Sequence, residues 1–277
     1  MVEHFKALTI AGSDSSGGAG MQADLKTFQE LGVYGMTALT CIVTMDPFHD
    51  WAHAVNMLDT HLLKKQLATI LDGIGVDALK TGMLGSPEVI AIAADAIAAH
   101  RLEKVVIDPV MVCKGAEEEL QPELQPENTA AIRDSLLPQA LITTPNLYEA
   151  AKLAGTGWLS TVDDMKKAAA KLVALGAKNA LVKGGSRLKD TDQAIDVLYD
   201  GNDFDVISRP KIDTPNIHGA GCTYAAAITA GLAKGKTVRE AVHVAKDFVT
   251  AAIGASFKLN DYTGPTDHGA YRRQRKG

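Results

Sequence analysis

Cysteine is scarce in this sequence. Cys41, Cys113 and Cys222 are the only three in 277 residues, and an odd number so widely spaced excludes a framework of disulfides. Thiols kept reduced in a cytoplasmic compartment are the expectation. Long hydrophobic runs are absent as well. No apolar stretch reaches the length needed to span a bilayer, and MVEHFKALTIAG enters a strand pattern without the apolar core of a secretory leader. Nor is positive charge concentrated on the chain. Lys and Arg number 28 against 33 Asp and Glu, for a net charge of −5, which argues against a nucleic-acid partner. The single basic cluster, RRQRK at 272–276, falls where a solvated tail is expected. Repeats of solenoid period and Ser/Gly/Pro linkers are also missing, so residues 1–277 are expected to form one domain.

What is present is an ordinary globular composition, 46% hydrophobic and 22% charged, with enough apolar material for a sizeable core. Apolar runs of strand length alternate with segments of helical period, the rhythm of an α/β protein with a mostly parallel sheet covered by helices on both faces. Strands are predicted at 7–12, 36–44, 77–83, 104–112 with a break at Pro109, 139–146 and 178–185. Helices are predicted at 21–32, 60–73, 86–100, 146–155, 161–176, 220–234 and 238–257. Ser86 followed by Pro87 reads as a helix start, and Thr161 with Asp164 as a capping box. AIDVLYDGNDFDVIS reads as a hairpin about Asp200-Gly201, which mixes the sheet at that side. Cys41 lies in a β-branched run and is expected in the core. The polar stretch 116–128, with its two prolines, is expected to be a mobile flap or loop.

Several motifs resemble familiar sites and fail on inspection. Gly18, Gly20 and Ala23 fit a loose dinucleotide fingerprint, but no acid follows at the position that would hold a ribose, and Asp14 would repel a pyrophosphate. The stretch is instead a substrate-facing loop or a plain turn. AGLAKGKT misses a P-loop because Ala230 stands where glycine is required, and Gly235, Thr237 and Glu240 serve better as a helix stop and a cap. His49, His53 and His61 lie in or beside a loop without the spacing of metal ligands, and are read as solvated.

Other motifs place reactive groups at strand ends, where open α/β sheets bind their ligands. Asp108 ends one strand, with Lys114 nearby to meet a phosphate. Asn146 and Glu149 begin a helix after another. Asp108, Asn146 and Glu149 together suit a water-clad Mg²⁺, although Asn146 taken alone reads equally as a helix cap. Lys183 and Gly184 end a further strand in a form suited to close approach by a nucleotide. In HGAGCT, the amides of Gly219, Ala220, Gly221 and Cys222 open a helix, where the macrodipole favours an anion. The same field favours a thiolate at Cys222. An anion hole beside a proton acceptor suits phosphoryl transfer to an alcohol.

GSDSSGGAGMQADLKTFQELGVYGMTALT, KTGML, DPVMVCKG, TPNLYEA and HGAGCT occur in this order across nearly the whole chain, and together they resemble the vitamin-kinase branch of the ribokinase superfamily. The resemblance implies a three-layer α/β/α fold, commonly dimeric, that moves the γ-phosphate of ATP, with Mg²⁺, to a hydroxymethyl group. Within that branch, hydroxymethylpyrimidine (phosphate) kinases typically show T-A-Q-N-T where this chain has VTMDP, and usually lack a counterpart of Cys113. MVCKG with HGAGCT is more similar to the cysteine-type pyridoxal/pyridoxine kinases, whose substrates are B6 vitamers. By that resemblance Cys222 takes the place of an aspartate base, with Gly219, Ala220 and Gly221 as the anion hole. Cys113 matches a cysteine that adds to the pyridoxal aldehyde. Gly12, Asp14, Met45, Met83 and Val110 fall on the vitamin side. Asn146, Lys183, Gly184, Gly221 and Thr223 fall on the nucleotide side, and Asp108 and Glu149 at the metal. An NAD-linked oxidoreductase and a catalytically silent vitamin-binding module are the rival classes; NAD binding or absence of ADP release would favour them.

Overall fold

The computed structural model describes residues 4–111, 126–189 and 191–275. Cys113, Lys114 and residues 116–125 of the expected flap therefore lie outside the described residues. The described chain forms two compact units, one built from residues 4–85 and 214–275, the other from 86–213, inserted in chain order between those two segments.

The first unit holds strands β1 (Lys6–Asp14), β2 (Tyr34–Asp46), β3 (Ala52–Met57) and β4 (Ala78–Thr81), in the order β3-β2-β1-β4. β1 runs parallel to β2 and β4, and β3 antiparallel to β2. β1 lies between β2 and β4. Its Ala7, Leu8, Ile10 and Ala11 are buried without the polar alternation of a half-exposed strand, as parallel strands covered by helices require. Helices α1 (Gly20–Glu30) and α2 (Thr60–Leu71) follow β1 and β3. In the second unit, α3 (Pro87–Ala99), strand β5 (Val105–Ile107) and α4 (Pro126–Ala131) precede β6 (Ile142–Thr143). Then come α5 (Leu147–Ala154), α6 (Val162–Ala174), β7 (Ala180–Gly185), β8 (Gln193–Tyr199) and β9 (Phe204–Pro210). The strands of this unit lie in the order β5 to β9, the first three parallel and the last two antiparallel. The chain ends in the first unit with α7 (Ala220–Ala233), α8 (Val238–Gly254) and α9 (Ala270–Gln274). No helix among the described residues is long and apolar enough to cross a membrane.

Local signals set the helix boundaries where they were expected. Ser86 accepts from the Val89 amide, and Thr161 with Asp164 and Thr237 with Glu240 close reciprocal capping boxes. Gly155 ends α5 in the left-handed conformation. We expect Thr237→Ala to cost about 1 kcal/mol, seen as a fall of roughly 2–4 °C in the calorimetric midpoint.

Elsewhere the expectations are corrected. FHDWAH is not all loop: Ala52 and His53 begin β3, whose pairing with β2 supplies the regularity that its mixed sequence does not. His53 is accordingly half-buried rather than solvated, and His49 pairs with Asp46 at 2.7 Å. The strands predicted at 104–112 and 139–146 shrink to three and two residues. Asp108 opens a tight turn, with the Val110 amide on its own carbonyl, and a single-turn helix over 137–139 takes up the start of the second. The β8-β9 hairpin forms, but its loop is the four residues 200–203, because Asp200 Oδ1 collects the amides of Asn202 and Asp203. Residues 126–128 begin α4 rather than continuing a loop. The last helix of the predicted pair stops at Gly254. Arg272 and Arg273 are no loose tail either: they lie in α9 and pair with Glu30 and Asp267.

Candidate active site

In the first unit, β1 delivers Asp14 to its carboxyl end, and the glycine-rich loop 15–19 folds around that side chain. Oδ1 accepts from the Ser16 amide and hydroxyl, both at 2.8 Å, and Oδ2 from the Ala19 amide at 2.8 Å. His218 Nε2 lies 2.6 Å from Oδ2. Burial opposes the charge on Asp14, but the hydrogen bonds from His218 and Ser16 outweigh it and hold the carboxyl well below the usual carboxylate range. Four partners fill the four lone-pair directions of a carboxylate. The oxygens of Asp14, a residue matched by resemblance to the vitamin side, are thus occupied internally, and the side chain shapes the loop.

Gly12 also has a packing reason. A Cβ there would stand 2.6 Å from Cys41 Sγ, on the neighbouring strand β2. Cys41 is in the core as expected, fully buried, and burial pushes its thiol up. Met83 follows β4 half-buried, its carbonyl fixed by the Thr40 hydroxyl at 2.7 Å. Met45 opens onto a cleft of about 200 Å³ whose lining includes Ser15, Ser16, Trp51, Asn260 and Thr263. Trp51 stacks on Tyr262 with centroids 6.0 Å apart, closing one wall.

The HGAGCT corner belongs to the same unit. Gly219 takes φ = 78°, the left-handed conformation that glycine adopts without penalty, and a Cβ there would run into the Gly18 carbonyl. The turn draws the Ala220 amide back onto the Ile217 carbonyl at 3.1 Å. Ala220 is therefore not an open donor, contrary to expectation. The amides of Gly219 and Gly221 are matched with no acceptor among the described residues. Cys222 stands half-buried in the first turn of α7, beside the exposed Gly221. Thr223, expected on the nucleotide side, is fully buried, with its hydroxyl 3.0 Å from His268 Nε2 and 3.4 Å from Thr266 Oγ1. Burial pushes His268 down to about 4, so this contact is made by a neutral ring.

In the second unit, the ends of β5, β6 and β7 gather four of the expected residues. Asp108 Oδ1 accepts from Lys183 Nζ and Thr144 Oγ1, both at 2.9 Å, while its Oδ2 is matched with no donor among the described residues. Asn146 and Glu149 cap α5 reciprocally at 2.9 and 2.8 Å. Both readings of Asn146 thus have a basis, and the cap is the one its side-chain oxygen makes. Burial raises the Glu149 carboxyl to about 7, and the charge of Asp108 pushes the same way, against Lys183 and the backbone hydrogen bonds from Asn146 and Met111. Two buried carboxylates thus share one ammonium. That surplus of negative charge, with an open oxygen on Asp108, fits a divalent cation that keeps most of its water. Among the described residues no group of three or more His, Cys, Asp or Glu could hold a metal ion, so the protein would supply at most these two carboxylates. Gly184 differs from expectation: its amide is given to Asp196 Oδ1 at 3.1 Å, and a side chain would strike the Ile195 carbonyl. Val110, expected on the vitamin side, is half-buried two residues beyond Asp108.

This arrangement can be set beside known proteins. The phosphomethylpyrimidine kinase family matches residues 14–267. The chain belongs to that family. Among its relatives, the pyridoxine kinase of Bacillus subtilis (strain 168) is 59% identical over 267 residues, 96% of this chain and 97% of that one. The solved ADP complex of Bacillus subtilis pyridoxal kinase superposes with a TM-score of 0.93 at 58% identity, covering 98% of this chain and 99% of the other. The Staphylococcus aureus pyridoxal kinase in complex with AMP-PCP and pyridoxal gives 0.91 at 50% identity, over 98% and 96%. A mixed, mostly parallel sheet flanked by helices is the fold of this phosphomethylpyrimidine kinase family member, as the strand rhythm of its sequence led us to expect.

The residues that sequence reasoning missed here are His218, Ser16 and Asp196. HGAGCT contains His218, but its partner Asp14 is 204 positions away, and no local pattern encodes such a pairing.

Proposed function

We propose that this protein transfers the γ-phosphate of MgATP to the 5′-hydroxymethyl group of pyridoxal, pyridoxine or pyridoxamine. The observation that carries the reading is the corner at 219–222, where two amides without an internal acceptor stand beside the half-buried thiol of Cys222. Kinase relatives at 58–59% identity over almost the whole chain support it.

In this reading the amides of Gly219 and Gly221 receive the negative charge that grows on the phosphoryl oxygens, at the positive end of α7. Cys222 takes the proton of the attacking hydroxyl as the O–P bond forms. Lys183, held by Asp108, serves the nucleotide phosphates, and Asn146 shapes the strand end beside it. Asp108 and Glu149 would hold Mg²⁺, which when bound neutralises phosphate charge. Met45, Met83 and Val110 serve the vitamin ring. Cys113 adds through its thiolate to the aldehyde carbon of pyridoxal, the C=O π pair becoming an oxyanion that takes up a proton; this reversible hemithioacetal holds the ring in place. We further propose that the chain works as one kinase domain, as a homodimer in the cytoplasm.

The test is purified protein with MgATP, offered pyridoxal, pyridoxine, pyridoxamine and hydroxymethylpyrimidine separately, with ADP release and phosphorylated product followed. Turnover of none would sink the reading. Because the family carries the pyrimidine enzymes' description, a second reading is phosphorylation of hydroxymethylpyrimidine, supported if that alcohol is turned over fastest. Cys113→Ala separates the two further. We expect it to lower kcat/KM for pyridoxal more than for pyridoxine, which has no aldehyde; equal losses would remove the covalent role.

A further inference from the structure

Three segments of the first unit meet on His218. Its backbone amide donates to the Gly264 carbonyl at 3.0 Å, and its carbonyl accepts from the Thr266 amide at 3.2 Å, forming an isolated parallel bridge with Pro265. Its ring reaches the glycine-rich loop, with Nε2 at 2.6 Å from Asp14 Oδ2 and 3.4 Å from Ser16 Oγ. Gly18 lies so close that a Cβ there would overlap ring carbon Cδ2. The next residue, Gly219, begins the corner. Its own missing Cβ leaves room for the Gly18 carbonyl, so loop and corner approach closely at Gly18 as well.

We propose that His218 is a positioning residue, which locks loop 14–19 to the corner 219–222 and so keeps the acceptor hydroxyl in register with Cys222 and the open amides. The inference rests on the kinase reading above and assigns His218 no contact with substrate. Its physical basis is that the 2.6 Å contact ties the loop to the residue that opens the corner, in a site where small misplacements are costly to rate. The backbone bridge to 264–266 anchors the histidine itself, so movement of its ring is movement of the loop.

The experiment compares His218→Gln, whose amide nitrogen stands as many bonds from Cα as the imidazole Nε2, with His218→Asn, which is one bond too short. We expect the Asn variant to lose about tenfold or more in kcat/KM for the vitamin, with KM for ATP little changed, and the Gln variant to retain most of the wild-type value. Equal kinetics for the two variants would overturn the proposal. Amide exchange over 14–22 and 217–223 supplies an arm that needs no activity. Exchange should quicken in both segments in the Asn variant and stay near wild type in the Gln variant; unchanged exchange in Asn would overturn the coupling. Should the Asn variant not fold, Asp14→Asn removes the charge from the other end with little change of shape, and wild-type kinetics and exchange there would overturn it equally. An inactive wild-type enzyme with the expected exchange pattern would instead strike the kinase reading and leave the lock standing.

Discussion

Cys222→Ala is expected to lower kcat for vitamin phosphorylation by about a hundredfold or more, the usual loss when a general base is removed. The prediction is selective because of what the substitution leaves in place. The amides of Gly219 and Gly221 belong to the backbone, and the left-handed turn at Gly219 that presents them precedes Cys222 in the chain. The first turn of α7 should therefore still attract phosphate, and KM for ATP should hold while kcat falls. Alanine is a good helix former, so the fold should hold as well. A carboxylate at the same place offers another proton acceptor. Cys222→Asp should then recover part of the lost rate, whereas Cys222→Ser, whose hydroxyl is a far weaker base, should not. Steady-state kinetics on the three variants, with midpoints checked by calorimetry, decide the matter. A kcat near wild type in Cys222→Ala would remove the thiol from the mechanism.

The residues legible in the sequence are those whose meaning is local. Asp108, Asn146, Glu149 and Lys183 could be marked because each stands where a strand gives way to a turn or helix, and the ends of neighbouring parallel strands must come together. The boxes at Thr161 and Thr237 were legible because both partners lie within one turn. What escaped depends on chain closure or on competition for a donor. Asp14 looked like a ligand contact because nothing near it in sequence shows that His218, Ser16 and Ala19 consume its oxygens. Ala220 looked like an open amide until the turn at Gly219 returned it to Ile217. Gly184 and Thr223 were marked by type, but Asp196 accepts the Gly184 amide and the Thr223 hydroxyl pairs with His268. β3 was hidden because an edge strand takes its regularity from its partner rather than from its own pattern.

Lys80→Ala should destabilise the protein by about 3–5 kcal/mol, the cost of stranding one member of a buried ion pair. Lys80 on β4 and Asp24 on α1 are both fully buried, with Nζ 2.9 and 3.1 Å from the two carboxylate oxygens. Thr9 on β1 donates to the same carboxylate at 2.7 Å. The charge of Asp24 would lose its ammonium in a fully buried position, and the midpoint should drop by on the order of 10 °C. Removing both charges should cost much less than removing one, because apolar side chains of similar size can fill the space without a desolvation penalty. Lys80→Met with Asp24→Leu should thus recover a large part of the loss, giving a strong coupling in a double-mutant cycle. The pair also has a consequence for function. Asp24 stands in the first two turns of α1, immediately after the glycine-rich loop, so the bond to β4 fixes the helix that carries the loop's second end. The apolar double variant should accordingly be stable yet raise KM for the vitamin, since packing alone restores the burial of α1 but not its register. A double variant with unchanged KM would show that register is set elsewhere. A loss below 1 kcal/mol in Lys80→Ala would show that the pair contributes little to stability.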